Sequence, residues 1–224
     1  MPQETWSAVE RYLADKLLPS DPVLDAARDA SAKAGLPPIE VSPSMGKLLY
    51  LLARMQGARN ILEIGTLAGY STIWLARALA VGGKLITIEF EPKHAEIAAA
   101  NIARAGLADR VELRRGRAAD VLPQLAADGR GPFDLFFIDA DKENNSLYFD
   151  WALKLARRGS LIVVDNVVRV GAVVDAKSRD PMVQGVRRFM DALASEPRVT
   201  STAIQTVGSK AYDGFSISLV EEGP

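Results

Sequence analysis

From Asn60 to Val164 the chain alternates short apolar runs with segments at helical spacing, and this alternation restricts the fold more than any other feature. The runs Asn60–Ile64, Lys84–Glu89, Arg110–Leu113, Phe133–Ile138 and Ser160–Val164 suit buried parallel strands, which are apolar on both faces. Consecutive βαβ units follow from that order. After a last helix near Met182–Ala194, Val199–Val207 and Phe215–Val220 read as two further strands. A connection containing Gly, Ser and Asp joins them into an antiparallel hairpin at one end of the sheet.

The residues before Asn60 read as a helical extension. Trp6, Val9, Tyr12 and Leu13 share one helical stripe, and Pro19 with Pro22 ends that helix. A second helix runs from Asp21 to the break at Gly35-Leu36-Pro37-Pro38. A third starts at Pro43, with Ser42 placed to cap it. No repeat, low-complexity tract or linker divides the 224 residues, so a single domain, 1–224, is expected, with 1–57 as the extension within it. The expected class is α/β: a Rossmann-like, mostly parallel seven-stranded sheet with helices on both faces.

Hydrophobic residues at 48% support a sizeable core, and a formal charge of −1 gives no electrostatic case for a nucleic-acid partner. The absence of cysteine excludes disulfides, thiol nucleophiles and Cys-ligated zinc. No basic start leads into an apolar run, and the most apolar stretch, Ser160–Val174, is broken by Asp165, Asn166 and Arg169. Neither a secretory signal nor a membrane span is expected, and a cytoplasmic setting is.

In sheets of this kind ligands bind beyond the carboxyl ends of the strands, where strand order reverses. The loop after the first strand is Gly65-Thr66-Leu67-Ala68-Gly69-Tyr70-Ser71. Its glycines let the backbone approach a ligand, and the following helix offers free N–H groups; a plain strand-to-helix turn is the alternative. The spacing departs from Gly-x-Gly-x-x-Gly, which counts against a nicotinamide dehydrogenase. Glu89 ends the second strand, where an acid can accept both hydroxyls of an adenosine ribose. A charge favoured by the dipole of the next helix is the alternative there. The fourth and fifth strands run directly into Asp139-Ala140-Asp141-Lys142 and Asp165-Asn166. Negative charge gathered at one sheet edge suits a hard cation with oxygen ligands, Mg²⁺ before Mn²⁺ or Ca²⁺, rather than zinc. Helix capping by Asp139 with a separate Asp-Asn turn is the plainer account, and it does not explain both strand ends.

Together, Glu63-Ile64-Gly65 through Gly69-Tyr70-Ser71, Ile88-Glu89 with Pro92, Gly116-x-Ala118, Asp139-x-x-Lys142 and Asp165-Asn166 resemble the cation-dependent O-methyltransferase family that includes caffeoyl-CoA and catechol O-methyltransferases. The likeness extends from about Val41 to the C-terminus. It implies a homodimer that moves a methyl group from S-adenosylmethionine to a hydroxyl of a small, vicinal dihydroxy aromatic acceptor. By position, Glu63, Gly65 and Thr66 would line the methionine end of the cofactor, with Ser71 reaching its carboxylate. Glu89 would hold the ribose, the Ala118 backbone would meet the adenine, and Val41 and Asp139 would add contacts. Asp139, Asp165 and Asn166 would ligate the cation, and Lys142 would be the catalytic base. The chain departs from the family at Leu67-Ala68, where relatives often carry an aromatic or polar pair. It departs again at Arg169, where many carry Trp in a loop near the acceptor.

A neutral phenol, with a pKa of about 10, is a poor nucleophile. A cation beside it favours the phenolate and fixes its position. Lys142, one helical turn past Asp139, would take the proton, a surface lysine being the alternative. His94 reads as a solvated helix position, Trp74 and Trp151 as core, and Arg114-Arg115-Gly116-Arg117 as a solvated edge. A nicotinamide-dependent oxidoreductase and a noncatalytic cofactor-binding protein remain the other two readings.

Overall fold

The computed structural model describes residues 2–223. Three helices come first: α1 (Pro2–Leu17), α2 (Pro22–Lys33) and α3 (Pro43–Met55). The caps are those the sequence calls for. Asp21 accepts the N–H groups of Val23 and Leu24 at 3.1 and 3.2 Å, and Ser42 accepts that of Met45 at 3.3 Å.

The sheet contains β1 (Asn60–Ile64), β2 (Lys84–Glu89), β3 (Val111–Arg115), β4 (Leu135–Ile138) and β5 (Leu161–Asp165), all parallel, then the antiparallel hairpin β6 (Val199–Gly208) and β7 (Ala211–Val220). Strand order is β3-β2-β1-β4-β5-β7-β6, so the order reverses between β1 and β4 and the hairpin forms one edge. Successive side chains point to opposite faces. Ile61, Leu135, Phe137 and Val163 pack toward α2, α3, α4 (Tyr70–Ala78) and α5 (Pro92–Arg104). Leu62, Phe136, Ile138 and Ile162 pack toward α6 (Ala118–Ala127), α7 (Asn145–Leu155) and α8 (Pro181–Ser195). Fully burying one such side chain contributes about 1.5–3 kcal/mol, so β4, buried along its whole length, anchors both layers. Among the described residues no helix is long and apolar enough to cross a membrane.

Three elements differ from expectation. The strand expected to be buried at Arg110–Leu113 is the edge strand β3, half-buried or exposed along its length because no strand covers its outer side. The apolar stripe of α1 does not enter the core: Val9, Tyr12 and Leu13 are 51, 61 and 45% exposed. The helix lies against β6 instead, where Gln3 donates to the Gly208 carbonyl at 2.8 Å and Glu10 accepts the Ser209 N–H. In the hairpin, Asp213 and Gly214 lie inside β7 rather than in a loop, and Ser209-Lys210 alone makes the turn. Asp213 is polar at a strand position because it has a task there. Its Oδ1 accepts the N–H groups of Val168 and Arg169, both at 3.0 Å, and so fixes the segment after β5.

Candidate functional site

The loops after β1 and β4 meet where strand order reverses. Gly65 has φ +97°, and a Cβ built there would overlap the Asp139 carbonyl oxygen and lie 2.8 Å from its carbon. Only glycine permits this approach. A cavity of about 830 Å³ opens over the junction. Gly65, Thr66 and Ser71 line it from the first loop, with Glu89 from the end of β2 and Ala118 from the start of α6. Asp139, Lys142 and Asn166 form its far wall, and Val41 contributes from the segment before α3.

Glu89 is buried, and its carboxylate already holds three backbone donors. Oε2 accepts the N–H groups of Thr66 at 3.1 Å and Leu67 at 2.8 Å, while Oε1 accepts that of Glu91 at 2.9 Å. Leu67 sits at φ +48°, so the acid also braces a strained turn. His94 is not solvent-facing as expected. It is half-buried in the first turn of α5 and lines the cavity with Nδ1 3.7 Å from Glu89 Oε1. Trp74 is core, as expected, whereas Trp151 only packs against the core's edge. The basic cluster is divided: Arg114 pairs with Glu112, and the Arg117 guanidinium lies 5.4 Å from the centre of the Phe90 ring.

Glu63 stands behind the cavity wall rather than in it. It is fully buried and accepts hydroxyl donors from Ser71 at 2.6 Å, from Thr87 at 2.7 Å and from Thr72. Burial pushes its carboxyl up from about 4.5 to about 7, against those three donors, and the nearby Asp139 charge raises it further. A raised folded-state pKa stabilises the protein fully below the unfolded value, and that stabilisation is lost as pH climbs from about 4.5 through about 7. In metal-free buffer, wild-type stability relative to Glu63→Gln should therefore fall across that window, by on the order of 3 kcal/mol. Parallel pH–stability curves for the two proteins would refute the shift.

The acidic corner joins the ends of β4 and β5. Lys142 opens a short 3-10 turn, Lys142–Asn144, and is 5% exposed, which rules out a surface lysine. Its Nζ lies 2.7 Å from Asp139 Oδ1, and Asp139 caps no helix. Asp141, the other acid of that loop, is engaged by the Tyr148 hydroxyl and the Asn144 amide. Burial first, and the Asp139 charge second, push the Asp165 carboxyl up to about 7, with Lys142 and the Asn166 N–H acting in the opposite direction. Asn166 has φ +59°, a left-handed conformation that Asn tolerates better than most residues. Among the described residues no group of three or more His, Cys, Asp or Glu side chains is arranged around a metal position. The corner instead offers two carboxylates and one amide oxygen. Hard oxygen donors in that number fit Mg²⁺, Mn²⁺ or Ca²⁺, which complete their shells with water or substrate oxygens, and they do not fit zinc.

A second cavity of about 620 Å³ lies on the hairpin side of this corner. Trp6, Val9 and Leu13 of α1 line it together with Met45 and Leu48 of α3 and Phe215 of β7. The stripe on α1 therefore faces a chamber instead of a core, a distinction that apolar periodicity does not make. Asp165 and Asp213 line the same chamber, and Val41, Asn166 and Arg169 line both cavities.

With this geometry in place, the comparison with known proteins is direct. Residues 15–216 match the family described as O-methyltransferase. A catechol O-methyltransferase from Niastella koreensis is 52% identical over 221 residues, covering 99% of this chain and 100% of its own. The crystal structure of an O-methyltransferase from Bacillus cereus, in complex with SAH, superposes with a TM-score of 0.96 at 57% identity, covering 97% of this chain and 99% of its own. TomG from Streptomyces achromogenes, an O-methyltransferase involved in tomaymycin synthesis and solved with SAM, gives a TM-score of 0.95 at 52% identity, covering 99% of both chains. Sequence, sheet order and these likenesses agree: the chain belongs to the O-methyltransferase family.

Proposed function

We propose that this enzyme transfers the methyl group of S-adenosylmethionine to one hydroxyl of a vicinal dihydroxy aromatic acceptor, with a divalent cation held by Asp139, Asp165 and Asn166. The observation that carries this reading is the meeting of two chambers at one acidic corner. The larger chamber takes the cofactor: Glu89 toward the ribose, Ala118 toward the adenine, and Gly65, Thr66 and Ser71 toward the methionine end. Val41 and Asp139 complete that wall, and Glu63 orients Ser71 from behind through the 2.6 Å hydrogen bond. The smaller, largely apolar chamber takes the acceptor ring. The catechol O-methyltransferase name of the Niastella koreensis relative supports the acceptor class. The SAH and SAM complexes of the two structural relatives support the cofactor.

When bound, S-adenosylmethionine supplies an electrophilic methyl group, and the cation supplies positive charge that favours an ionised acceptor hydroxyl. Lys142 accepts the hydroxyl proton at Nζ. Its Nζ is held 2.7 Å from Asp139 Oδ1, so the proposed base stands directly beside a residue that would hold the cation. At 5% exposure, Lys142 meets the cavity with its ammonium end while its stem is packed, which fixes where the proton is received. The family resemblance further supports a homodimer, and the lack of cysteine fits a reducing, cytoplasmic setting.

A panel of catechol, caffeate and flavonoids with labelled S-adenosylmethionine tests the reading. Methyl transfer should appear with Mg²⁺ or Mn²⁺, vanish on EDTA treatment and return when the cation is restored. Full turnover in rigorously metal-free protein would remove the cation from the scheme, and failure to bind S-adenosylmethionine would remove the whole proposal.

A further inference from the structure

Among the charged side chains lining the smaller chamber, one cation has no partner. Glu10 is held by the Ser209 N–H. Lys210 lies 3.4 Å from Glu40 and donates to the Pro38 carbonyl at 2.8 Å. Asp213 Oδ1 is occupied by the backbone N–H groups of Val168, Arg169 and Gly214. Asp165 belongs to the acidic corner. Arg169 remains: its Nε is buried without any hydrogen-bond partner, and its Nη2 meets only the Met182 sulfur, at 3.4 Å. Among the described residues no carboxylate pairs with it.

The backbone holds this side chain in place deliberately. Arg169 and Val170 both sit at φ +55°, a left-handed conformation unfavourable for residues with side chains, and Asp213 fixes the turn by accepting the two N–H groups before it. Arg169 stands three residues past Asn166 and lines both chambers. A buried donor that the fold leaves unpaired is stabilised when a ligand brings an acceptor. The planar guanidinium fork matches a carboxylate, which it can bind through two parallel hydrogen bonds.

We infer that Arg169 binds a carboxylate on the acceptor, so that the preferred substrates are dihydroxy aromatic acids rather than neutral or cationic catechols. The inference rests on the function proposed above and adds the charge of the acceptor to it. On that function the cofactor's own carboxylate is served after β1, by the free backbone N–H groups of Ser71 and its neighbours at the start of α4, the Ser71 hydroxyl being given to Glu63. Arg169 follows β5, on the hairpin side where the ring chamber lies. With Asp139 and Asp165 neutralised by a cation, Arg169 is the charged group at the corner whose guanidinium no carboxylate of the described residues engages.

Steady-state kinetics on catechol, dopamine, protocatechuate and caffeate, for wild type, Arg169→Met and Arg169→Lys, tests this. Wild type should favour the two acids over catechol by roughly tenfold or more in kcat/KM, mainly through KM, with dopamine the poorest. Arg169→Met should erase the preference, and Arg169→Lys should retain part of it, having the charge but not the fork. Whether protocatechuate or caffeate gains more reports how far the carboxylate reaches from the ring. Equal treatment of acids and catechol by wild type overturns the inference. So does an equal loss on all acceptors in Arg169→Met, or a loss of S-adenosylmethionine affinity by calorimetry. Absence of turnover on every acceptor would sink the proposed function instead. Calorimetry with S-adenosylhomocysteine and Mg²⁺ then decides the point for Arg169: tighter binding of protocatechuate than catechol, lost in Arg169→Met, sustains it, and equal binding ends it.

Discussion

Replacing Lys142 by methionine should lower kcat on catechol by about 10²–10⁴-fold while S-adenosylmethionine affinity stays nearly unchanged. Methionine matches the lysine stem and is at ease in a site only 5% exposed, so the change removes the charge and the base with little repacking. It also frees Asp139 from its 2.7 Å ammonium partner, so cation affinity should be kept or raised. Acceptors with a more acidic hydroxyl arrive largely ionised and need less help. The deficit should therefore shrink on a nitrocatechol. Wild-type kcat on plain catechol would show that the cation alone generates the nucleophile, and a loss confined to cofactor affinity would make Lys142 a binding residue.

The second large effect belongs to Glu89→Ala, and it has two parts. Removing a carboxylate from the ribose position should weaken S-adenosylmethionine by at least about tenfold, since a charged hydrogen bond contributes ~1.5–3 kcal/mol. The structure adds a cost that a pure ligand residue would not have. The N–H groups of Thr66, Leu67 and Glu91 all lose their acceptor, and each buried orphan costs about 1–3 kcal/mol. Water entering the open cavity offsets part of this, so a loss of about 3 kcal/mol is expected, or a fall in Tm of roughly 6–12 °C for a chain of this size. Glu89→Gln keeps acceptor capacity on one oxygen and should recover much of the stability but less of the affinity. Thermal unfolding and calorimetry on both variants separate the two parts. An alanine variant as stable as wild type would mean that the three amides find other partners.

The four inner parallel strands were legible because they are buried on both faces, which makes Leu135–Ile138 or Leu161–Val164 continuous apolar runs with polar residues only at their ends; β3, at the sheet edge, is only half-buried and carries Glu112 and Arg114 inside it. The acidic corner was legible for the same reason: carboxylates directly after such strands, at Asp139 and Asp165, stand out against them. The hairpin was harder to read. Asp213 and Gly214 look like turn residues, yet each occupies a strand position for the sake of a neighbour. Asp213 takes the amides of the loop after β5. A Cβ at Gly214 would overlap the Ile204 carbonyl and lie 2.7 Å from the Val168 side chain. The role of α1 was invisible because a stripe facing a chamber has the same period as one facing a core. His94 read as solvated because its helix begins polar, and only the fold brings it to the cavity beside Glu89.

Gly185, in the second turn of α8, bears on how this enzyme can be engineered. A Cβ built there would overlap the Lys142 carbonyl oxygen and lie 2.6 Å from the Glu143 Cα, so the helix touches the backbone that carries the proposed base. Exchanging a helical glycine for alanine is a routine stabilising choice, with an intrinsic gain of about 0.5–1 kcal/mol. At this position the added methyl meets backbone and pushes on the turn at Lys142–Asn144, so the expected result is a loss of stability of about 1–3 kcal/mol together with a catalytic defect. A thermostability library scored only by melting temperature would file this site with ordinary packing positions, and turnover measured on the folded variant would place it with the active-site positions.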